Sequence, residues 1–135
     1  MNDRMREGFN LAEQFRTAPR FDFSALRPSD IPAEPGVYAI FLTDTDEALY
    51  VGRTKNLRQR LYKNHLMGSI NSARLKKYLA EDENVPEVPN FDSAKQFLKS
   101  NCDCQFIVEP DMLDRGRLEG LLSYLFEVRY MYEEH

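Results

Sequence analysis

Tyr38, Tyr50, Gly52, Arg60 and Glu119 are the residues of this chain whose types and settings can do chemistry. Tyr38 and Tyr50 lie six residues either side of Asp44, so a hairpin turning there sets two phenols roughly opposite each other on one face. Facing tyrosines alone are ordinary packing. Gly52 follows directly, and a glycine lets the backbone turn sharply and approach a ligand closely. The helix expected from Asn56 presents its first amides and positive dipole near the same place, which favours a phosphate. Arg60 borders the apolar stripe of that helix, marked by Leu57 and Leu61, where a guanidinium can grip a phosphate or a developing negative charge with paired donors. Arg53, Lys55 and Arg58, and Lys63 one turn on, read as solvated charges that steer a phosphate. Glu119 falls about 100 degrees from Leu118 around the last helix, at the margin of its apolar stripe. A carboxylate there needs a partner, either a cation or an arginine such as Arg115 one turn earlier.

The charge distribution supports a local phosphate contact. The 135 residues carry a net charge of −4, which argues against coating nucleic acid through bulk electrostatics. From Ala48 to Ala80, however, there are eight basic residues and no acid, so this segment is +8 and the remainder −12. A solvated helix face explains interspersed lysines, but it explains the complete lack of acids less well.

The elements that must position these residues follow from period and punctuation. Residues 4–16 read as a helix with Phe9, Ala12 and Phe15 on one side, followed by a proline-containing extended stretch anchored by Phe21, Phe23 and Leu26. "GVYAIFL" (36–42) and "ALYVG" (48–52) read as two strands joined by the "TDTDE" turn. Helices are expected from Asn56, over Ser72–Ala80, after an Asp92 or Ser93 cap, and from about Asp114 to Tyr130. "CQFIVE" (104–109) makes a third strand. The fold class is α+β, a small three-stranded antiparallel sheet flanked by helices. Residues 1–34 form an N-terminal arm beside a single domain over 35–135. The phenylalanines of the arm cover apolar surface, or they dock a protein partner or a second copy. Cys102 and Cys104 read as small residues on one face of a strand; the alternative is two ligands of a metal site. Neither a leader nor a membrane span is legible, so the expected setting is cytoplasmic with reduced thiols.

"GVY" at 36–38, "YVG" at 50–52 and "NLRQRL" at 56–61, with Glu119 in the C-terminal helix, resemble the signature of the GIY-YIG nuclease family. The likeness spans roughly Pro35 to Tyr130. It implies a metal-dependent endonuclease that hydrolyses phosphodiester bonds, with DNA ahead of RNA as substrate. By the resemblance, Glu119 holds one Mg²⁺ or Mn²⁺ ion, Tyr38 helps to deprotonate the attacking water, Tyr50 orients it, and Arg60 stabilises charge on the phosphate. The sequence departs from the family pattern at two places. A histidine that many members carry four residues after the arginine is Asn64 here, with His65 one later, about 100 degrees around an α-helix. The family's asparagine after the last helix has no counterpart in "VRYMYEEH" (128–135), where Tyr130 and Met131 stand. The competing reading is a GIY-YIG-like module that binds nucleic acid or a protein without cutting. No second nucleic-acid reader accompanies the motifs, so strong sequence specificity is not expected.

Overall fold

The structure, a computed structural model, describes residues 2–67, 74–82 and 91–131. Helix α1 (Asp3–Arg16) is capped by Asn2, whose side chain accepts from the Met5 N–H. A short strand β1 (Arg20–Asp22) and two 3₁₀ turns lead to strands β2 (Gly36–Leu42) and β3 (Ala48–Thr54). A π-helix (Gln59–Met67) precedes α2 (Arg74–Glu81) and α3 (Phe91–Asn101), and strand β4 (Cys102–Val108) precedes α4 (Met112–Leu125). Residues 83–90 lie outside the described residues, as do Ser72 and the last four residues.

The sheet has four antiparallel strands in the order β1-β4-β2-β3, one more than the sequence suggests. The extra strand comes from the arm. Three residues are too few to show an alternating pattern, and β1 exists because β4 offers it an edge. Arg20 also pairs with Asp103 at 2.6 Å, and the Gln105 side chain donates to the carbonyls of Arg16 and Ala18.

Alternation along β2 divides the interior into two cores. Val37, Ala39 and Phe41 face α1 and α4 and pack with Ala12, Phe15, Leu118 and Leu122. Tyr38 and Ile40 face the π-helix, α2 and α3, and pack with Leu57, Leu61, Leu75, Leu79 and Leu98. The arm contributes to both: Phe15 to the first, Phe23, Leu26 and Ile31 to the second, while Phe21 stacks on Phe106 with ring centroids 5.5 Å apart. Most of its aromatic surface is therefore used within the chain, and of these phenylalanines Phe9 is the exposed one. Cys102 and Cys104 are buried together in the second core, and burial pushes the Cys102 thiol up to about 12. Among the described residues no helix is long and apolar enough to cross a membrane.

Helix α4 starts two residues earlier and stops five residues earlier than the periodicity suggests. Asp111 caps it by accepting from the Asp114 N–H at 2.9 Å. Glu127 takes a left-handed conformation with φ of 49°, and the chain then turns back along β3. The N–H groups of Arg129 and Tyr130 donate there to the carbonyls of Ala48 and Leu49. These contacts outweigh the helical preference of residues 126–130.

Candidate active site

The hairpin of β2 and β3 places the two tyrosines. Tyr38 lies opposite Gly52 and Tyr50 opposite Ile40, so they are diagonal neighbours, two residues away from the direct opposition expected from a turn at Asp44. Next to the turn Phe41 pairs with Ala48, one residue off that expectation, and a bulge between Ile40 and Phe41 adds the second. The phenol rings still share one face, with centroids 6.2 Å apart and planes 28° apart. Both are buried, Tyr38 at 2 % and Tyr50 at 7 % exposure.

Gly52 acts differently from the expectation as well. It lies within β3, not at a sharp turn, and it lacks a positive φ. Its role is to leave room: a Cβ there would stand 2.5 Å from Tyr38 Cζ and against the hydroxyl oxygen. The missing side chain lets the Tyr38 phenol lie across the strand.

The helix N-terminus is closed to an anion. Leu57 N–H donates to the Glu34 carbonyl at 2.8 Å, Arg58 N–H to the Pro32 carbonyl at 3.2 Å, and Gln59 N–H to Asn56 Oδ1 at 3.1 Å. Asn56 is thus the cap expected of it, but the arm takes the amides that a phosphate would need. Arg58 is drawn the same way, with Nε donating to the carbonyls of Pro28 and Ile31 at 3.0 and 2.9 Å. Through Nε it anchors the arm.

The remaining cations gather in an open cleft of about 850 Å³ between the end of β3, the start of the π-helix and the first turns of α4. Arg53, Thr54, Lys55, Asn56, Gln59 and Arg60 form one wall, and residues Met112 to Arg117, apart from Asp114, form the other. Among the described residues no carboxylate lines it. Lys63 is exposed beyond the cleft. The sequence reading missed the α4 wall, although "RGR" at 115–117, one turn before Glu119, was a signal for it. On that wall Arg115 donates to the carbonyls of Glu109 and Pro110, and Arg117 pairs with Asp114 at 3.0 Å.

Glu119 is half-buried beside Arg53, and its carboxylate accepts from the Arg53 backbone N–H. Burial pushes the carboxyl above its ordinary value, while the charge and the N–H of Arg53 pull it back. The partner of Glu119 is therefore Arg53 and not Arg115. Gly116 makes this possible, because a Cβ on it would collide with Arg53 Nη1. The described residues contain no group of three or more acidic, histidine or cysteine side chains that could enclose a metal. A single carboxylate at the margin of an open cleft fits a hard cation that keeps most of its waters, such as Mg²⁺, and does not fit a caged one.

Tyr38, Tyr50, Arg53 and Glu119 are thereby contiguous around the end of β3, and Arg60 shares the cleft with Arg53. For His65, the backbone alone is described. It lies in a π-helix, closed by i→i+5 bonds, so the α-helical phasing does not apply. The wider winding, roughly 4.4 residues per turn, brings position 65 nearer the side of position 60 than an α-helix would, though not onto it. The side chain of His65 lies outside the described residues.

Comparison with known proteins gave three findings. No curated protein matched the chain. Among solved structures, the chain is similar to the GIY-YIG N-terminal endonuclease domain of UvrC from Thermotoga maritima, seen as point mutants bound to a catalytic divalent cation. Two of these show 19 % and 18 % identity with TM-scores of 0.40 and 0.39, each covering 98 % of this chain and 100 % of the other. The family model described as the GIY-YIG catalytic domain matches residues 34–97, the segment that holds Tyr38, Tyr50, Gly52 and Arg60.

Proposed function

We propose that the domain is a divalent-metal-dependent endonuclease acting on nucleic acid, with DNA ahead of RNA, in a cytoplasmic setting. The observation that carries this reading is the junction of the acid-free cationic cleft with Tyr38 and Glu119 at one end of β3. Arg53 and Lys55 receive the backbone phosphate, and Arg60 presents paired donors to the oxygens on which charge builds as the bond to water forms. The Tyr38 oxygen, as the phenolate, takes up the proton of the attacking water and becomes the neutral phenol, and Tyr50, stacked beside it, orients that water. Glu119 would hold one Mg²⁺ or Mn²⁺ ion, with water and substrate oxygens completing the shell. When bound, such an ion polarises the phosphate as a Lewis acid.

A cleavage panel of single-stranded, duplex and branched DNA and RNA, with Mg²⁺ or Mn²⁺ at low salt, tests this reading. Metal-dependent scission that disappears in Arg60→Ala is expected. Tight binding with no scission of any substrate in either metal would identify a binding module instead.

A further inference from the structure

The two walls of the cleft differ in chemistry. Arg53, Lys55 and Arg60 stand on the wall made by β3 and the π-helix. The α4 wall begins with Met112 and Leu113, the only large apolar side chains lining the cleft among the described residues. They are 63 % and 60 % exposed, and neither belongs to either core. An adjacent exposed Met–Leu pair facing arginines is informative in a way that a scattered surface leucine is not. The cations of its own wall are engaged, Arg115 with carbonyls and Arg117 with Asp114, so the α4 wall offers mainly apolar contact.

A polynucleotide strand has the matching two-sided character, with phosphates along one edge and flat apolar base faces along the other. In a continuous duplex those faces are covered by stacking. An unstacked base exposes one, and apolar side chains such as Met and Leu are suited to fill the gap between base steps. We infer that Met112 and Leu113 form an apolar wedge against an unstacked base, so that the substrate class is nucleic acid with an unpaired or flipped nucleotide beside the scissile phosphate. This inference rests on the nucleic-acid reading of the cleft and adds the structural class of the substrate to it. The occupant is a base and not an apolar protein surface, because the facing wall is cationic and no acid lines the cleft.

The test uses the full chain in EDTA, so that binding is measured without cleavage. Fluorescence anisotropy compares a perfect 20-mer DNA duplex with the same duplex carrying a central two-nucleotide bulge, over a salt series. The wild type should prefer the bulged duplex by roughly tenfold, equivalent to about 1.4 kcal/mol. The exposed double variant Met112→Ser/Leu113→Ser should lose that preference while keeping the salt slope, since the arginine wall is untouched. A 2-aminopurine placed in the bulge should change its fluorescence on binding to the wild type and not to the double variant.

Equal affinity of the wild type for the two duplexes would overturn the wedge and leave the nuclease reading standing. A double variant that keeps the preference would also overturn it. A wild-type dimer that dissociates in the double variant would assign the pair to self-association and overturn it too. Absence of binding to any nucleic acid would overturn both readings.

Discussion

The two faces of the sheet bury different chemistry. The face covered by α1 and α4 is built from Val37, Ala39, Phe41, Ala48 and Val51, none of which carries a polar side-chain atom. The face covered by the π-helix, α2 and α3 buries Tyr38 and Tyr50 among leucines and two thiols. Glu119, however, projects from α4, the cover of the apolar face. The phenols and the carboxylate of the proposed site thus belong to opposite layers, and a central strand would keep them apart. They meet because β3 is an edge strand, and Arg53 at its end gives Glu119 a backbone N–H to accept from. The difference teaches that this site is an edge site, assembled around the margin of the sheet and not on either face.

The largest effect should come from the phenol layer. Tyr38→Phe keeps the buried ring and removes the hydroxyl, so turnover should fall by roughly 10²–10⁴-fold with the melting temperature nearly unchanged. Single-turnover cleavage read beside thermal unfolding separates the two. A variant that cuts at the wild-type rate would remove Tyr38 from the chemistry and reduce the tyrosine pair to packing.

Glu119→Gln tests the opposite layer. It keeps the shape and the hydrogen bond from Arg53 but removes the charge that holds a hard cation, so turnover should fall by about 10²–10³-fold. Nucleic-acid affinity measured in EDTA should stay close to wild type, because Lys55, Arg53 and Arg60 do the holding. Loss of stability with activity intact would make Glu119 a structural partner of Arg53 only.

The two glycines of the site sharpen the comparison, since the same substitution should act in opposite directions. Gly52→Ala drives a Cβ into the buried Tyr38 ring, which cannot swing away, and overpacking of this kind destabilises by about 1–3 kcal/mol. Gly116→Ala meets only the end of the flexible Arg53 side chain. A helix-interior alanine gains up to roughly 1 kcal/mol over glycine, so stability should hold or rise while Arg53 is moved off Glu119. Thermal or urea unfolding of the pair reads the sign. Equal destabilisation would mean that Arg53 is as rigidly held as Tyr38.

The smallest effects distinguish two neighbouring cations. Arg58→Ala should weaken the docking of the arm by about 1.5–3 kcal/mol and leave the salt slope of binding unchanged. Lys55→Ala should do the reverse, lowering the log–log slope by about 0.9 with no change in unfolding. A flattened slope in Arg58→Ala would return that residue to the binding surface.

The sequence by itself determined the β2–β3 hairpin, the helix cap at Asn56 and the tyrosine–glycine–arginine cluster. These depend on signals within a few residues: a continuous apolar run, a turn rich in Thr and Asp, and a change of period after Gly52. It also isolated Glu119, because a carboxylate at the margin of an apolar stripe stands out in any helix. Tertiary structure decided the partners. Spacing offered Arg115 as the mate for Glu119, and the path of β3 across α4 brought Arg53 there instead. The strand β1 exists only because β4 presents an edge, and the arm's carbonyls took the amides that helix geometry alone would leave for phosphate. The Asn56–Met67 segment has α-helical leucine spacing, yet Gln59–Met67 is wound as a π-helix, which changes which residues share a side with Arg60. Periodicity is a property of neighbours along the chain, whereas hydrogen-bond partners and ion pairs are chosen among groups that only folding brings together.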